Sequence, residues 1–234
     1  MGNRLSKIYT RTGDDGTTGM ASGERVSKAD LLFAVMGDVD ELNAHIGLIA
    51  AHTRQLQAKQ LQTKQPENKH QQPQDPHQSS QRLQHLSVQD SNLPNLADIL
   101  QSISVIQHLL FNIGGELAMP EYQGIDDTHI IWLESQIDRL NRHLLPLKDF
   151  ILPAGSALVS QIHVARTVCR RSERQAVDLR TQQAYAMSSN AAKLLNRLSD
   201  WLFVLARYCA KLEGSQEVLW DKAILNQFDG DFKI

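Results

Sequence analysis

The chain has 234 residues, a formal net charge of -2, and 41% hydrophobic and 21% charged residues. That length suits one domain, or one domain with a long insert, and the composition is that of an ordinary globular chain. The near-neutral balance gives no global basic field for nucleic acid, so any anion site must be local.

In chain order, the first ten residues carry no apolar core of signal-peptide length, although Gly2 to Ser6 loosely fits an N-myristoylation pattern. Residues 9–19 read YTRTGDDGTTG. Gly13, Gly16 and Gly19 allow tight turns that present backbone N–H groups at close range. Thr10, Thr12, Thr17 and Thr18 add hydroxyls, Arg11 adds charge, and Lys28 follows. Such a set suits a polyphosphate; a Gly/Thr-rich surface turn is the plainer alternative. No Gly-Lys-Ser/Thr ending makes it a Walker A loop, and no strand precedes a dinucleotide fingerprint.

Residues 29–53 place Leu32, Val35, Val39, Leu42, Ile46 and Ile49 at steps of three and four, which predicts a helix, with Ser27 and Asp30 as a capping pair. Residues 54–94 hold twelve Gln, four Pro and three His, with no aromatic residue. This composition cannot bury enough apolar surface to order itself and predicts a disordered or loosely helical insert. Its His70, His77 and His85 are too irregularly spaced for a metal site. Residues 95–118 repeat the helical pattern with Ile99, Ile103, Ile106, Leu110 and Ile113, and Pro120 stops it. A third helix is expected over 127–144, capped by Asp126 or Asp127. A fourth runs over about 157–180, and a fifth over about 189–213, closed by Gly214.

The expected architecture is therefore all-α: a five-helix bundle of the ferritin-like up-down type with no significant sheet. Its parts are a Gly/Thr-rich segment (1–28), a bundle domain (29–53 and 95–214), the insert (54–94) and a C-terminal tail (215–234). No apolar run approaches the roughly 20 residues that span a bilayer. Cys169 and Cys209 stand alone in helical segments, which argues against a zinc ribbon or a disulfide framework and fits reduced thiols in a cytoplasm.

Two further stretches carry chemistry. In HVARTVCRRSERQAV, residues 163–177, Arg166, Arg170 and Glu173 lie at i, i+4 and i+7 on one helical face, with Arg174 beside them and Arg171 pointing elsewhere. Four arginines this close need carboxylate or phosphate partners. In the last helix Leu194, Leu195, Leu198, Leu202 and Leu205 form an apolar stripe, while Asn196, Asp200 and Arg207 are polar. Asn196 suits either an adenine or ribose contact or a hydrogen bond to a neighbouring helix. No Glu-x-x-His pair supports a di-iron bundle, and no local motif supports a hydrolase nucleophile.

Six stretches, IYTRTGDDGTTG, GERVSK, GDVDELNAHIG, FILPAGS, ARTVCRRSER and NRLSDWLFVLAR, occur in this order and cover most of residues 8–53 and 95–221. Together they resemble the ATP:cob(I)alamin (corrinoid) adenosyltransferases of the helix-bundle, propanediol-utilisation type. The insert at 54–94 is longer than that family's usual connection. The resemblance implies transfer of the 5′-deoxyadenosyl group of ATP to the cobalt of a reduced corrinoid, with release of triphosphate, by a cytoplasmic homotrimer that binds ATP between subunits. It implies triphosphate contacts from Thr10, Arg11, Thr12, Gly13, Thr18 and Lys28. Arg170, Arg171, Ser172, Glu173, Arg174 and Asn196 would complete the ATP site, with Glu173 at Mg²⁺ and with Arg170, Asn196 and Phe150 catalytic. Arg166 would pair with Asp40 of a neighbouring subunit, and Phe150 would exclude the lower axial ligand of the corrinoid. A reductase or flavin would supply electrons; no nucleic acid and no membrane is implied. The rival reading is an ATP-binding bundle that senses or delivers adenosylcobalamin without catalysis.

Overall fold

The computed structural model describes residues 9–64, 93–119, 121–182 and 187–226. Pro120, the three histidines of the insert and residues 65–92 lie outside them. Five long helices dominate: α1 (Leu31–Lys64), α2 (Leu96–Ala118), α3 (Asp127–Asn141), α4 (Ala157–Gln182) and α5 (Ser189–Leu212). A short α6 (Ala223–Asn226) follows, and a small hairpin, β1 (Thr17–Gly19) with β2 (Arg25–Ser27), precedes them. α1 packs against α2 and α4, and α5 packs against α4 and α3.

The helix starts follow from side-chain caps. Asp30 Oδ1 accepts from Leu32 N at 2.9 Å. Asn95 Oδ1 accepts from Ala97 N and Asp98 N, while Asp98 Oδ2 accepts from Asn95 N at 3.0 Å, a reciprocal capping box. Asp126 accepts from Thr128 N and His129 N, and Ser188 Oγ from Ala191 N. Each such cap stabilises its helix by about 0.5–2 kcal/mol. α5 ends where Gly214 turns left-handed at φ 67 and Ser215 N donates to Ala210 O.

The apolar positions read at steps of three and four are the core. Val35, Val39, Leu42, Ile46 and Ile49 of α1 meet Ile99, Ile103, Ile106, Leu110 and Ile113 of α2, and Leu195, Leu198, Leu202 and Leu205 fill the α5 side; all are essentially inaccessible. Tyr208 is also fully buried and satisfies its hydroxyl by donating to Pro94 O at 2.7 Å. Buried Glu116 accepts from Gly124 N, Ile125 N and Ser188 N, tying the end of α2 to the starts of α3 and α5.

Three expectations need correction. α1 does not stop at 53 but continues to Lys64, into the first part of the Gln-rich stretch. Gln, Lys, Ala and Leu are good helix formers, residues 54–65 contain no Gly or Pro, and Leu56 still reaches the core. As expected there is no significant sheet: among the described residues it amounts to two three-residue strands. α3 ends at Asn141 rather than 144. α2 is long and apolar enough to cross a bilayer by length and composition, with a window of mean hydropathy 1.3; its apolar stripe is instead the face buried against α1.

Candidate functional site

The N-terminal loop is shaped by its own polar groups. Gly16 at φ 84 turns the chain so that Lys28 N donates to Gly16 O, and β1 pairs with β2 in the register Thr18↔Val26. Lys28 Nζ reaches back to donate to Gly13 O at 2.7 Å. A Cβ at position 13 would stand 2.9 Å from that Nζ and 3.0 Å from Thr17 O, so the close approach requires glycine. Asp15 accepts from the Thr17 hydroxyl and N–H, which hold its carboxyl below the usual carboxylate range. Thr10 and Thr12 share a hydroxyl hydrogen bond at 2.8 Å, and Arg11 stands left-handed at φ 63. Thr10, Arg11, Thr12 and Lys28 are exposed; Gly13 and Thr18 are half-buried. The result is an accessible turn that carries the exposed cationic side chains of Arg11 and Lys28.

The second cluster lies across α4 and α5. Asn196 Nδ2 donates to Glu173 Oε1 at 2.7 Å. Arg197 then donates from Nη1 to Asn196 Oδ1 at 2.6 Å and from Nε to Glu134 Oε1 of α3 at 2.7 Å. This chain orients the Asn196 amide. On the same face of α4, Arg170 and Arg174 are exposed, and Arg174 Nη1 donates to Arg170 O. Two adjacent exposed guanidiniums beside an oriented carboxylate and amide suit a polyphosphate with its counter-ion.

Two residues grouped with this set turn the other way. Arg171 donates from Nε to Asp38 Oδ1 at 3.1 Å and also pairs with Glu41, both on α1. Ser172 is fully buried and donates at the α1–α4 contact, with Asp38 O and Val168 O in reach. One step along a helix rotates the side chain by about 100°, so Arg171 and Ser172 face α1 while Arg170 and Arg174 face outward. In this geometry they brace the helix that carries the cluster rather than presenting groups to a ligand.

Among the described residues no hydrogen bond or ion pair joins the loop of Thr10, Arg11, Thr12, Gly13, Thr18 and Lys28 to the cluster of Arg170, Glu173, Arg174 and Asn196. Asp40 is exposed on α1 and makes no contact of either kind with Arg166. Arg166 is partly buried; its guanidinium lies 5.2 Å over the Phe203 ring, and its Nε has no partner among the described residues. Phe150 sits in the α3–α4 loop, 83% exposed, and its hydrogen bond among the described residues is through its backbone: Phe150 O accepts from Trp220 N at 2.8 Å.

The pattern of the family described as cobalamin adenosyltransferase matches residues 8–209. The chain belongs to the cobalamin adenosyltransferase family. It is 39% identical over 222 residues, 95% of this chain and 98% of the other, to a cobalamin adenosyltransferase of Cupriavidus metallidurans. It is 36% identical to the corrinoid adenosyltransferase of Mycobacterium leprae over 94% of this chain and 98% of that one. Against the Homo sapiens corrinoid adenosyltransferase the identity is also 36%, covering 94% of this chain and 75% of the human one. Among solved structures, a variant PduO-type ATP:corrinoid adenosyltransferase from Lactobacillus reuteri, complexed with cobalamin and ATP, superposes with a TM-score of 0.70 at 29% identity, covering 92% of this chain and 97% of that one.

Membership in this family makes the chain an enzyme of the adenosyltransferase class. Three side chains that organise its candidate site went unassigned in the sequence. Arg25 donates to Thr17 Oγ1 and the Thr12 carbonyl, pinning the loop to its own hairpin. The only signal for it was its place in GERVSK. Arg197 and Glu134 steer Asn196 from a third helix, a tertiary relation that no spacing within one helix encodes.

Proposed function

We propose that this chain transfers the 5′-deoxyadenosyl group of ATP to the cobalt of cob(I)alamin, giving adenosylcobalamin and triphosphate. The observation that carries the reading is the Glu173–Asn196 pair, with Arg170 and Arg174 exposed beside it, in a chain of the cobalamin adenosyltransferase family. Relatives of this fold bind cobalamin and ATP together, as the Lactobacillus reuteri complex does.

The reaction balances as a displacement. The electron pair on Co(I) forms the Co–C5′ bond, the C5′–O bond breaks, and triphosphate leaves with the electron pair of the broken C5′–O bond. Co(I) is a strong nucleophile and needs no activating base. The work left to the protein is alignment of C5′ with cobalt and stabilisation of the leaving triphosphate. Lys28, Arg11, Arg170 and Arg174 supply positive charge for that, Thr10, Thr12 and Thr18 supply hydroxyls, and Asn196 addresses the nucleoside. Among the described residues no group of three or more His, Cys, Asp or Glu could hold a metal ion. A single carboxylate, Glu173, fits Mg²⁺ carried mainly by the phosphates. Bound there, the ion would neutralise phosphate charge.

In this reading the protein works as a cytoplasmic homotrimer, and the loop of one subunit meets the α4–α5 cluster of the next. Support comes from the absence, among the described residues, of any hydrogen bond or ion pair between the two halves in one protomer, and from Arg166, whose Nε has no partner among them and suits Asp40 of a neighbouring subunit. Phe150 supplies an apolar wall below the corrinoid. An axial ligand raises the cobalt acceptor orbital, so a wall that excludes it eases the one-electron reduction of Co(II) by a reductase or flavin. Incubation with ATP, Mg²⁺ and chemically reduced cobalamin tests the proposal. Adenosylcobalamin and triphosphate in equal amounts are expected; bound ATP without either product would instead support a sensor or carrier.

A further inference from the structure

Phe150 raises a problem of positioning. Its ring is 83% exposed, so packing does not hold it. Its place is set by the backbone of two segments that run antiparallel, with a bridge between Ile151 and Leu219. Leu152 N donates to Val218 O at 2.7 Å and Trp220 N to Phe150 O at 2.8 Å, one bond on each side of that bridge. The strap at 218–220 is itself weakly buried: Val218, Leu219 and Trp220 are 40–49% exposed. Something else must anchor it.

That anchor is Arg207 of α5. It is 7% exposed, and its guanidinium pairs with Glu217 at the start of the strap. Its Nη2 also donates to Leu145 O at 2.7 Å, at the start of the loop that carries Phe150. One turn later on α5, Lys211 Nζ donates to His143 O at 2.6 Å. A nearly buried charge is costly unless it is paired and hydrogen-bonded, and an apolar side chain would fill the end of a bundle as well. The fork-shaped guanidinium can instead hold two segments at once in fixed geometry. The cleft beneath the strap is lined by His163, Ala206, Arg207 and Glu217, so the pair stands between α5 and the strap.

We infer that Arg207 is a positioning residue of the reaction: through Glu217 it fixes the 217–220 strap, and the strap fixes the Phe150 ring against the corrinoid. This rests on the adenosyltransferase reading. Arg207 touches no substrate. It acts on the step that needs the lower ligand of cobalt removed, the reduction of Co(II), and not on ATP or on the alkyl transfer itself.

The test compares the parent protein with Glu217→Ala, Glu217→Gln and Trp220→Pro, the last removing the N–H donor to Phe150 O. Each is assayed with cob(II)alamin plus reductant and with pre-reduced cob(I)alamin. In Glu217→Ala and Trp220→Pro, turnover from cob(II)alamin should fall by about tenfold or more, while turnover from cob(I)alamin and the KM for ATP stay within about threefold. Glu217→Gln keeps an acceptor for Arg207 and should recover most of the rate. Variants that match the parent on cob(II)alamin overturn the inference. So do variants that lose both substrates in step with a falling melting temperature, since that is a structural role. A parent that makes no adenosylcobalamin from either substrate sinks the proposed function first, and the strap inference with it.

Discussion

Asn196 and Glu173 form a 2.7 Å hydrogen bond from α5 to α4, and Arg197 holds the other end of the same amide. The amide is thus oriented by the protein's own groups, with the Glu173 carboxylate fixed beside it. Asn196→Ala should leave folding intact, because Asn196 is only half-buried. It should lower kcat/KM for ATP by about 10- to 150-fold, the equivalent of one hydrogen bond to a charged group. Activity within a factor of two of the parent would remove Asn196 from the site.

The loop makes a sharper steric prediction. Gly13→Ala places a methyl 2.9 Å from Lys28 Nζ, so the lysine must leave Gly13 O. Gly13→Ala and Lys28→Ala should therefore raise the KM for ATP to similar extents. The double variant should be little worse than either single one, because both remove the same arrangement. Additive losses in steady-state kinetics would show that the two residues act separately.

Phe150→Ala should hardly move the melting temperature. A buried Phe typically costs about 3–5 kcal/mol on truncation, but this ring is exposed. Turnover from cob(II)alamin should fall steeply, and turnover of cobinamide, which lacks the tethered base, should fall less. Equal losses for the two corrinoids alongside a large drop in melting temperature would take Phe150 out of the mechanism.

The cysteines predict an alkaline limit. Burial pushes the thiols of Cys169 and Cys209 well above their ordinary range. The unfolded chain would ionise both near the ordinary thiol value of 9.0. Below that pH both states are protonated, and stability is unaffected. Above it the unfolded state loses protons that the folded state keeps, so stability falls as pH rises. Denaturant midpoints should drop above about pH 9, and Cys→Ala at either position should flatten the slope. Neither thiol should react with an alkylating reagent at pH 8 until the protein unfolds; rapid native labelling would contradict the burial.

Much of the bundle was legible because its signals are local. Asp126, Gly214 and the apolar steps of α1, α2 and α5 report on the residue that carries them. α1 was read too short because Gln-rich composition suggests disorder, while propensity over a stretch free of Gly and Pro carries the helix to Lys64. The hairpin leaves no signal in the sequence, since three-residue strands show no alternation. Within the candidate site, helical spacing alone groups Arg170, Glu173 and Arg174 on one side of α4. The same spacing turns Arg171 away from that face, but that Asp38 and Glu41 receive it, and that Ser172 is buried against Asp38 O, depends on how α1 packs on α4. The roles of Arg25, Arg197 and Arg207 depend on carbonyls and carboxylates 10 to 63 positions away, beyond any motif.

Each copy of this chain carries one Gly/Thr loop and one Arg-rich α4–α5 cluster, unlinked to each other among the described residues. In the proposed ring, defects in the two halves become separable at the level of alleles. Lys28→Ala and Arg170→Ala subunits are each expected to be nearly inactive alone, yet mixing them rebuilds some junctions from one sound loop and one sound helix face. Random assembly of equal amounts leaves about a quarter of junctions intact. Two dead proteins refolded together should therefore recover roughly that share of parental activity. A loop variant mixed with the parent should lower activity in proportion to its fraction, without poisoning the rest of the ring.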